Sequence, residues 1–297
     1  MPGAPPVVCV TPMTIERIPS WLRALDALAA AAHRLSRVAG AVRDETVLAW
    51  TDPASRSDLT RLLFDRAPTY APGGAMFRLG LLDWERDLLS PPFPTTGRLL
   101  VGGAGGGREA IALLARGYEV FAFDPAGALV QAGAPAVAAS GGTLCRASYA
   151  DVVRAAAAEP TPLDAAFTRP IDGILLGWGS FSLIVSDEER IALLRALRAL
   201  APRAPVALSF DEVVEPESSE SGVARVRRTL RRFYHGRGAP GYTGERMRYA
   251  PWAGIIREST LADVETVARA AGYHPAKHGS EPGRMLLLPA GAGAEGA

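Results

Sequence analysis

The stretch Leu99-Leu100-Val101-Gly102-Gly103-Ala104-Gly105-Gly106-Gly107-Arg108-Glu109 constrains this chain more than any other. An apolar run suited to a buried strand leads into a glycine-rich turn and then into helix-forming residues. Glycine enters positive φ without steric cost and lets a ligand come against the backbone. A helix that starts just beyond such a turn points free N–H groups and its positive dipole end at whatever occupies it. A second apolar stretch, 119–123, ends at Asp124, 17 residues after Gly107. An acid there can accept hydrogen bonds from both hydroxyls of a ribose. Glycine richness alone is a weak signal. Strand, turn, helix and acid together point to an adenosine-containing ligand.

The rest of the chain supports this unit with a regular alternation. Short apolar runs at 98–101, 119–123, 143–146, 171–176 and 206–210 read as strands. Helical runs lie between them at 109–116, 126–139, 151–159 and 187–200, with Gly117 and Ser186 as caps. Gly133 and Pro135 should interrupt the helix over 126–139. A helix over 261–271 and strands near 273–277 and 285–288 complete the pattern. This predicts an α/β fold, a doubly wound and mostly parallel seven-stranded Rossmann-like sheet with helices on both faces. Ligands of such sheets sit at the carboxyl ends of the strands.

Residues 20–66 read as helical, with Trp21, Leu22, Leu25, Leu28 and Ala32 at helical spacing and a second helix carrying Leu59, Leu62 and Leu63. Pro68, Pro72, Gly73 and Gly74 break that pattern. A short amphipathic piece over 77–89 follows, before Pro91, Pro92 and Pro94. The expected division is an N-terminal helical cap over 1–95 and a core over 96–297, with a substrate-side insertion at about 211–255. That insertion is acidic at first, then basic from Arg225 to Arg232, then rich in glycine and aromatics. The arginine run, with Val223, Val226, Leu230 and Phe233 at helical spacing, reads as the solvated face of an amphipathic helix. Residues 290–297 read as a frayed tail.

Composition narrows the function classes. The net charge of +1 supplies no field for nucleic acid. Cys9 and Cys145 are too far apart in sequence for a CxxC pair, which argues against a disulfide framework or zinc site and for a reducing cytoplasm. Residues 1–10 lack the pattern of a signal peptide. No apolar run approaches the roughly 18 residues of a membrane span. No His, Asp and Glu set has metal-ligand spacing. The reading is a cytoplasmic protein with a small-molecule substrate, no nucleic acid, no membrane and no metal, its oligomeric state open.

The stretch from Val101 to Asp124 resembles the first two motifs of the class I S-adenosylmethionine-dependent methyltransferases. The resemblance runs over roughly residues 97–288. It includes Phe121-Ala122-Phe123-Asp124-Pro125, the stretch Asp172 to Ser180, which resembles the fourth motif, and the closing Ala271-Gly272-Tyr273 and Met285 to Leu288. It implies that S-adenosylmethionine is the cofactor. Gly103, Gly105 and Gly107 would underlie its methionine part and Asp124 would hold its ribose. Ser148 and Tyr149 would lie near the adenine, with Gly177 and Trp178 beside the sulfonium. Two departures stand out. Val101 occupies a position where many members carry an acid, and Glu109, on the following helix, is not expected to replace it. The polar residue often found after the third strand is also missing, with Ser148, Tyr149 and Asp151 nearby.

Methyl transfer gains much of its rate from in-line placement, and a base is needed only where the acceptor must lose a proton early. The candidate base is His235, with Tyr234 beside it in a loop of the insertion. Candidates for the acceptor pocket are Tyr70, Phe77, Phe181, Tyr249 and Trp252. The expected function is methyl transfer to O or N of a small molecule. Other readings are a non-catalytic or regulatory S-adenosylmethionine-binding protein and an RNA or protein methyltransferase, which the near-zero net charge disfavours. A dinucleotide enzyme would need a hydride-handling partner such as a Tyr-x-x-x-Lys pair, and the one lysine, Lys277, lies near the chain's end.

Overall fold

The structure is a computed structural model that describes residues 20–213, 222–242, 246–278 and 281–291. Readings that fall on residues 1–10, on Cys9, on Glu215, Glu217 and Glu220, or on the tail beyond residue 291 lie outside the described residues. Three helices come first: α1 (Ser20–Trp50), α2 (Arg56–Asp65) and α3 (Asp83–Leu88). The alternating part then runs β1 (Arg98–Gly102), α4 (Arg108–Leu114), β2 (Glu119–Asp124), α5 (Gly127–Ala139), β3 (Thr143–Arg146), α6 (Tyr149–Ala156), β4 (Gly173–Leu176), α7 (Asp187–Leu200) and β5 (Val206–Ser209). A second group follows: β6 (Asp211–Glu212), α8 (Gly222–His235), β7 (Met247–Ala250) and β8 (Gly254–Ser259). The chain closes with α9 (Leu261–Ala270), β9 (Tyr273–His278) and β10 (Arg284–Pro289).

The main sheet has seven strands in the order β3-β2-β1-β4-β5-β10-β9. β1 to β5 pair in parallel, and β10 is antiparallel to both β5 and β9. The doubly wound, mostly parallel, Rossmann-like architecture is therefore present. The order reverses between β1 and β4, which opens a crevice at their carboxyl ends, where such sheets take ligands. Leu99, Leu100 and Val101 of β1 and Ile174 and Leu175 of β4 are fully buried. Such strands are apolar along their whole length because helices cover both faces. One apolar cluster, around Phe123, Phe181 and Phe210, fills one face. Another, around Trp84, Phe93 and Leu113, fills the other.

The structure departs from the sequence reading in four places. Helix α5 runs unbroken through Gly133 and Pro135. Gly133 is buried and has no room for a side chain, since a Cβ there would lie 2.0 Å from the Gly106 carbonyl oxygen. Pro135 is exposed, so the hydrogen bond it omits falls on the solvent side. The second departure is α6, which starts at Tyr149 because Asp151 accepts from both the backbone N–H and the hydroxyl of Ser148, each at 2.7 Å.

The third departure is the insertion, which forms a three-stranded sheet, β6-β8-β7, together with α8. His235 closes α8 instead of lying in a loop. The β7–β8 hairpin buries Met247 and Ile255 against Leu48 of α1 and Val185. The fourth concerns the arginine run, which is only partly solvated. Arg227 pairs with Asp44 at 3.0 Å and Arg231 with buried Glu45 at 2.9 Å, tying α8 to α1. Beyond these contacts, Trp21, Leu25, Leu28 and Leu35 of α1 are exposed.

Candidate functional site

A cavity of about 1110 Å³ opens at the carboxyl ends of β1, β2 and β4. Its floor is the turn Gly103–Gly106, and Asp124, Ser148, Tyr149, Trp178 and Ser180 stand around it. Gly103, Gly105 and Gly107 all take positive φ, at 70°, 53° and 92°. Protein groups pack Gly103, Gly106 and Gly107 closely. A Cβ on Gly103 would lie 2.8 Å from Ser180 Cβ, one on Gly106 2.5 Å from the Tyr70 carbonyl oxygen, and one on Gly107 2.5 Å from Val137. Gly105 is different, because its nearest neighbours there would be Leu129 and Tyr70 at ordinary contact distances of 3.8 and 3.9 Å. The turn is thus rigidly seated and open to the cavity at Gly105.

Asp124 ties the turn to the sheet. Its Oδ2 accepts from the Gly105 N–H and its Oδ1 from the Ala126 N–H, both at 2.8 Å. Burial raises its carboxyl to about 6, although the two N–H bonds oppose the shift. Each oxygen keeps a second lone pair for a further donor. Tyr149 crosses the site above Gly102 and Gly103. Its hydroxyl donates to Ser180 Oγ at 2.6 Å, and its ring stands edge-on to Phe123 at 5.8 Å. Burial raises the phenol well above its usual range, so it stays neutral. The Ser148 hydroxyl is committed to Asp151.

Arg190 holds the opposite wall. It is fully buried and donates to the carbonyls of Ile184 and Phe181 at 2.8 and 3.2 Å and to Ser259 Oγ at 2.8 Å. Its guanidinium lies 4.8 Å from the Phe181 ring centroid. Burial, then the charge of Arg257, lowers it to about 9. The turn Ser180–Leu183 is thereby fixed from behind.

The sequence candidates divide sharply. Gly103, Gly105, Asp124, Ser148, Tyr149, Trp178, Tyr70, Phe77 and Trp252 line the cavity. Gly107 and Gly177 lie behind that lining, where they shape the backbone. A Cβ on Gly177 would meet the Gly103 carbonyl oxygen at 2.6 Å. Phe181 is buried beneath Arg190. Tyr234 and His235 stand outside the cavity lining; the Tyr234 hydroxyl bonds Thr46 Oγ1 at 2.7 Å, and His235 is exposed. Tyr249 packs against the cluster around Leu48.

Several lining residues went unread in the sequence. Ser57, Thr60, Arg61 and Phe64 follow one face of α2, a spacing that marks a shared face but not what the face covers. Asp65 of the same helix accepts from the Ala128 N–H at 2.9 Å and so docks α2 on the start of α5. Leu183, Ile256, Arg248 and Arg284 also line the cavity. Arg248 is held by Glu258 at 3.0 Å and by Asp211. Arg108 and Glu109 complete the wall beside the glycine turn. Among the described residues there is no group of three or more His, Cys, Asp or Glu that could hold a metal ion, and no helix is long and apolar enough to cross a membrane.

No family model matches the chain, and no curated protein matches it. Among solved structures it is similar to a SAM-dependent methyltransferase from Methanosarcina mazei (13% identity, 68% of this chain and 98% of that one, TM-score 0.46). It is also similar to magnesium protoporphyrin IX methyltransferase from Synechocystis PCC 6803 with bound SAH (16% identity, 65% and 74%, TM-score 0.40). A third is 1,6-didemethyltoxoflavin-N1-methyltransferase from Burkholderia thailandensis (18% identity, 64% and 68%, TM-score 0.40).

Proposed function

We propose that this chain is an S-adenosylmethionine-dependent methyltransferase acting on O or N of a small-molecule acceptor. The observation that carries the reading is one cavity with two chemically different ends. One end is a glycine turn open at Gly105, beside a buried carboxylate with free lone pairs. The other is an apolar and aromatic wall of Phe64, Leu183, Trp252 and Ile256. At about 1110 Å³ it lies at or above the upper end of the range for single-ligand pockets, which suits two ligands side by side.

Gly103 and Gly105 would support the cofactor's amino-acid part, Asp124 would accept from its ribose, and Tyr149 and Trp178 would flank it. The cofactor supplies a methyl group on a sulfonium. The chain's own contribution is placement: Arg190 fixes the Ser180–Leu183 wall, the Tyr149–Ser180 bond fixes the floor, and α2 and Tyr70 close over the turn and exclude water. Residues before the sheet and the segment after β5 would act as the acceptor-side cover. The small net charge and the paired arginines of the wall favour a small molecule over nucleic acid. Two cysteines without a CxxC pair favour a reducing cytoplasm.

The experiment is to incubate the pure protein with S-adenosylmethionine and small-molecule extracts of its source, then search for products heavier by one CH₂ unit. The reading expects such a product, formed with S-adenosylhomocysteine. Binding of the cofactor without any product would support the non-catalytic alternative instead.

A further inference from the structure

Three ionisable side chains lie buried together beside the glycine turn, and their full charges would not balance. Glu85 of α3 is fully buried, and Arg108 and Glu109 of α4 are 7% and 4% exposed. Arg108 is bidentate to Glu85, with the Nη1–Oε2 distance 2.9 Å, and also bonds Glu109 Oε1 and the Gly80 carbonyl. One guanidinium therefore serves two carboxylates. Arg108 is the only side chain that bonds Glu109 among the described residues. Arg284, which also feels Glu85, lies 3.7 Å from Glu281 and feels Glu281 and Asp211 more strongly. An uncompensated buried carboxylate is costly unless a proton or a cation neutralises it. Glu109 borders the cavity next to Gly103–Gly106, so a ligand can supply that cation.

We propose that Glu109 receives the primary ammonium of the ligand's amino-acid end and is the cationic subsite of this cavity. The proposal rests on the reading of the cavity as an S-adenosylmethionine site. It places the acid on α4, since Val101, fully buried in β1, offers no polar side chain. Burial raises the Glu109 carboxyl; the charge of Arg108 opposes this and that of Glu85 adds to it. At pH below about 7 the free protein thus holds a proton there that the ammonium displaces. Glu85 of α3, Arg108 of its own helix and the neutral Tyr149 of α6 are the titratable groups that face it.

The test compares two probes by calorimetry on the full chain: S-adenosylhomocysteine, which carries the ammonium but no sulfonium charge, and 5′-methylthioadenosine, which lacks the amino-acid end. Glu109→Gln should weaken S-adenosylhomocysteine at least tenfold and leave methylthioadenosine within twofold. The melting temperature of the free protein should stay level, because Gln keeps the shape and the neutral state of the protonated carboxyl. In the wild type, the ratio of the two affinities should fall as pH drops below the raised Glu109 titration, and this needs no variant to fold. The wild-type ratio should be flat with pH if Glu109 has no such role, which would overturn the proposal. Equal weakening of both probes, or unchanged S-adenosylhomocysteine affinity in Glu109→Gln, would also overturn it. If the wild type binds neither probe, the cofactor reading itself fails and takes this proposal with it.

Discussion

The carboxylate of Asp124 accepts a hydrogen bond from the backbone N–H of Gly105 at 2.8 Å, so the acid that ends β2 also fastens the turn that follows β1. The partner bond from the Ala126 N–H, also at 2.8 Å, uses its other oxygen. An acid in this position serves the protein before it serves a ligand. Asp124→Ala should therefore do two things. It should weaken adenosine-containing ligands at least ~10-fold, since charge-assisted hydrogen bonds are each worth about 1.5–3 kcal/mol. It should also loosen the Gly105 amide, read as faster hydrogen exchange there. Loss of binding with unchanged Gly105 exchange would contradict the double role.

The same residue predicts two opposite pH dependences. Its folded carboxyl is raised from an ordinary 3.8 to about 6. The folded state therefore holds this proton more tightly than the unfolded chain. That contribution to stability is fully present below about 3.8 and is lost as pH rises through about 6. Ligand affinity runs the other way, because hydroxyls bond best to the ionised form. Methylthioadenosine affinity should fall by up to ~10-fold per pH unit below about 6 in the wild type and stay flat in Asp124→Asn. Calorimetry across pH 5 to 8 checks both.

Gly133 tests how closely α5 must approach the turn. A Cβ there would lie 2.0 Å from the Gly106 carbonyl, a backbone atom that no rotamer change relieves. Gly133→Ala should cost at least ~2 kcal/mol by chemical denaturation, against the gain of up to ~1 kcal/mol that Ala ordinarily brings to a helix interior. A stabilised variant would show that the contact is not tight.

Arg190 tests the wall. Arg190→Ala removes the donor to two backbone carbonyls and to Ser259 in a buried site, so it should destabilise by about 3–5 kcal/mol. Exposing the Ser180–Leu183 turn should also raise its hydrogen exchange. A loss under ~1 kcal/mol would mean water takes over these acceptors.

Much of this site was legible in the sequence because it depends on local chemistry. The strand, the glycine turn and Asp124 could be read from residues adjacent in the chain, and so could the mostly parallel sheet they belong to. Gly133 and Pro135 misled because what decides α5 is a contact with Gly106, 27 residues away in sequence. His235 and Tyr234 looked pocket-like as aromatics near glycine, yet the Tyr234 hydroxyl goes to Thr46 of α1, and no local pattern marks that partner. Phe64 and Arg61 were read as part of a helix, but which surface that helix covers is tertiary information. Glu109 belonged visibly to α4, and only the buried pairing of its neighbour Arg108 with Glu85, 23 residues earlier, reveals the charge imbalance.

These placements separate two groups of aromatic residues. Trp252→Ala should lower acceptor turnover while leaving S-adenosylhomocysteine affinity within ~3-fold, because this wall residue loses contact with the acceptor alone. Tyr234→Phe and His235→Ala should keep near-normal turnover. Lost turnover in His235→Ala at unchanged melting temperature would restore that histidine to the mechanism.

Whether this cavity seats S-adenosylmethionine is decided by calorimetry of the wild-type chain with S-adenosylhomocysteine and NAD in parallel. One-to-one binding of S-adenosylhomocysteine is expected, weakened at least ~10-fold in Asp124→Ala, with NAD at least ~100-fold weaker than S-adenosylhomocysteine in the wild type, a gap of about 2.7 kcal/mol. Tighter binding of NAD, or no binding of S-adenosylhomocysteine by the folded protein, would contradict it.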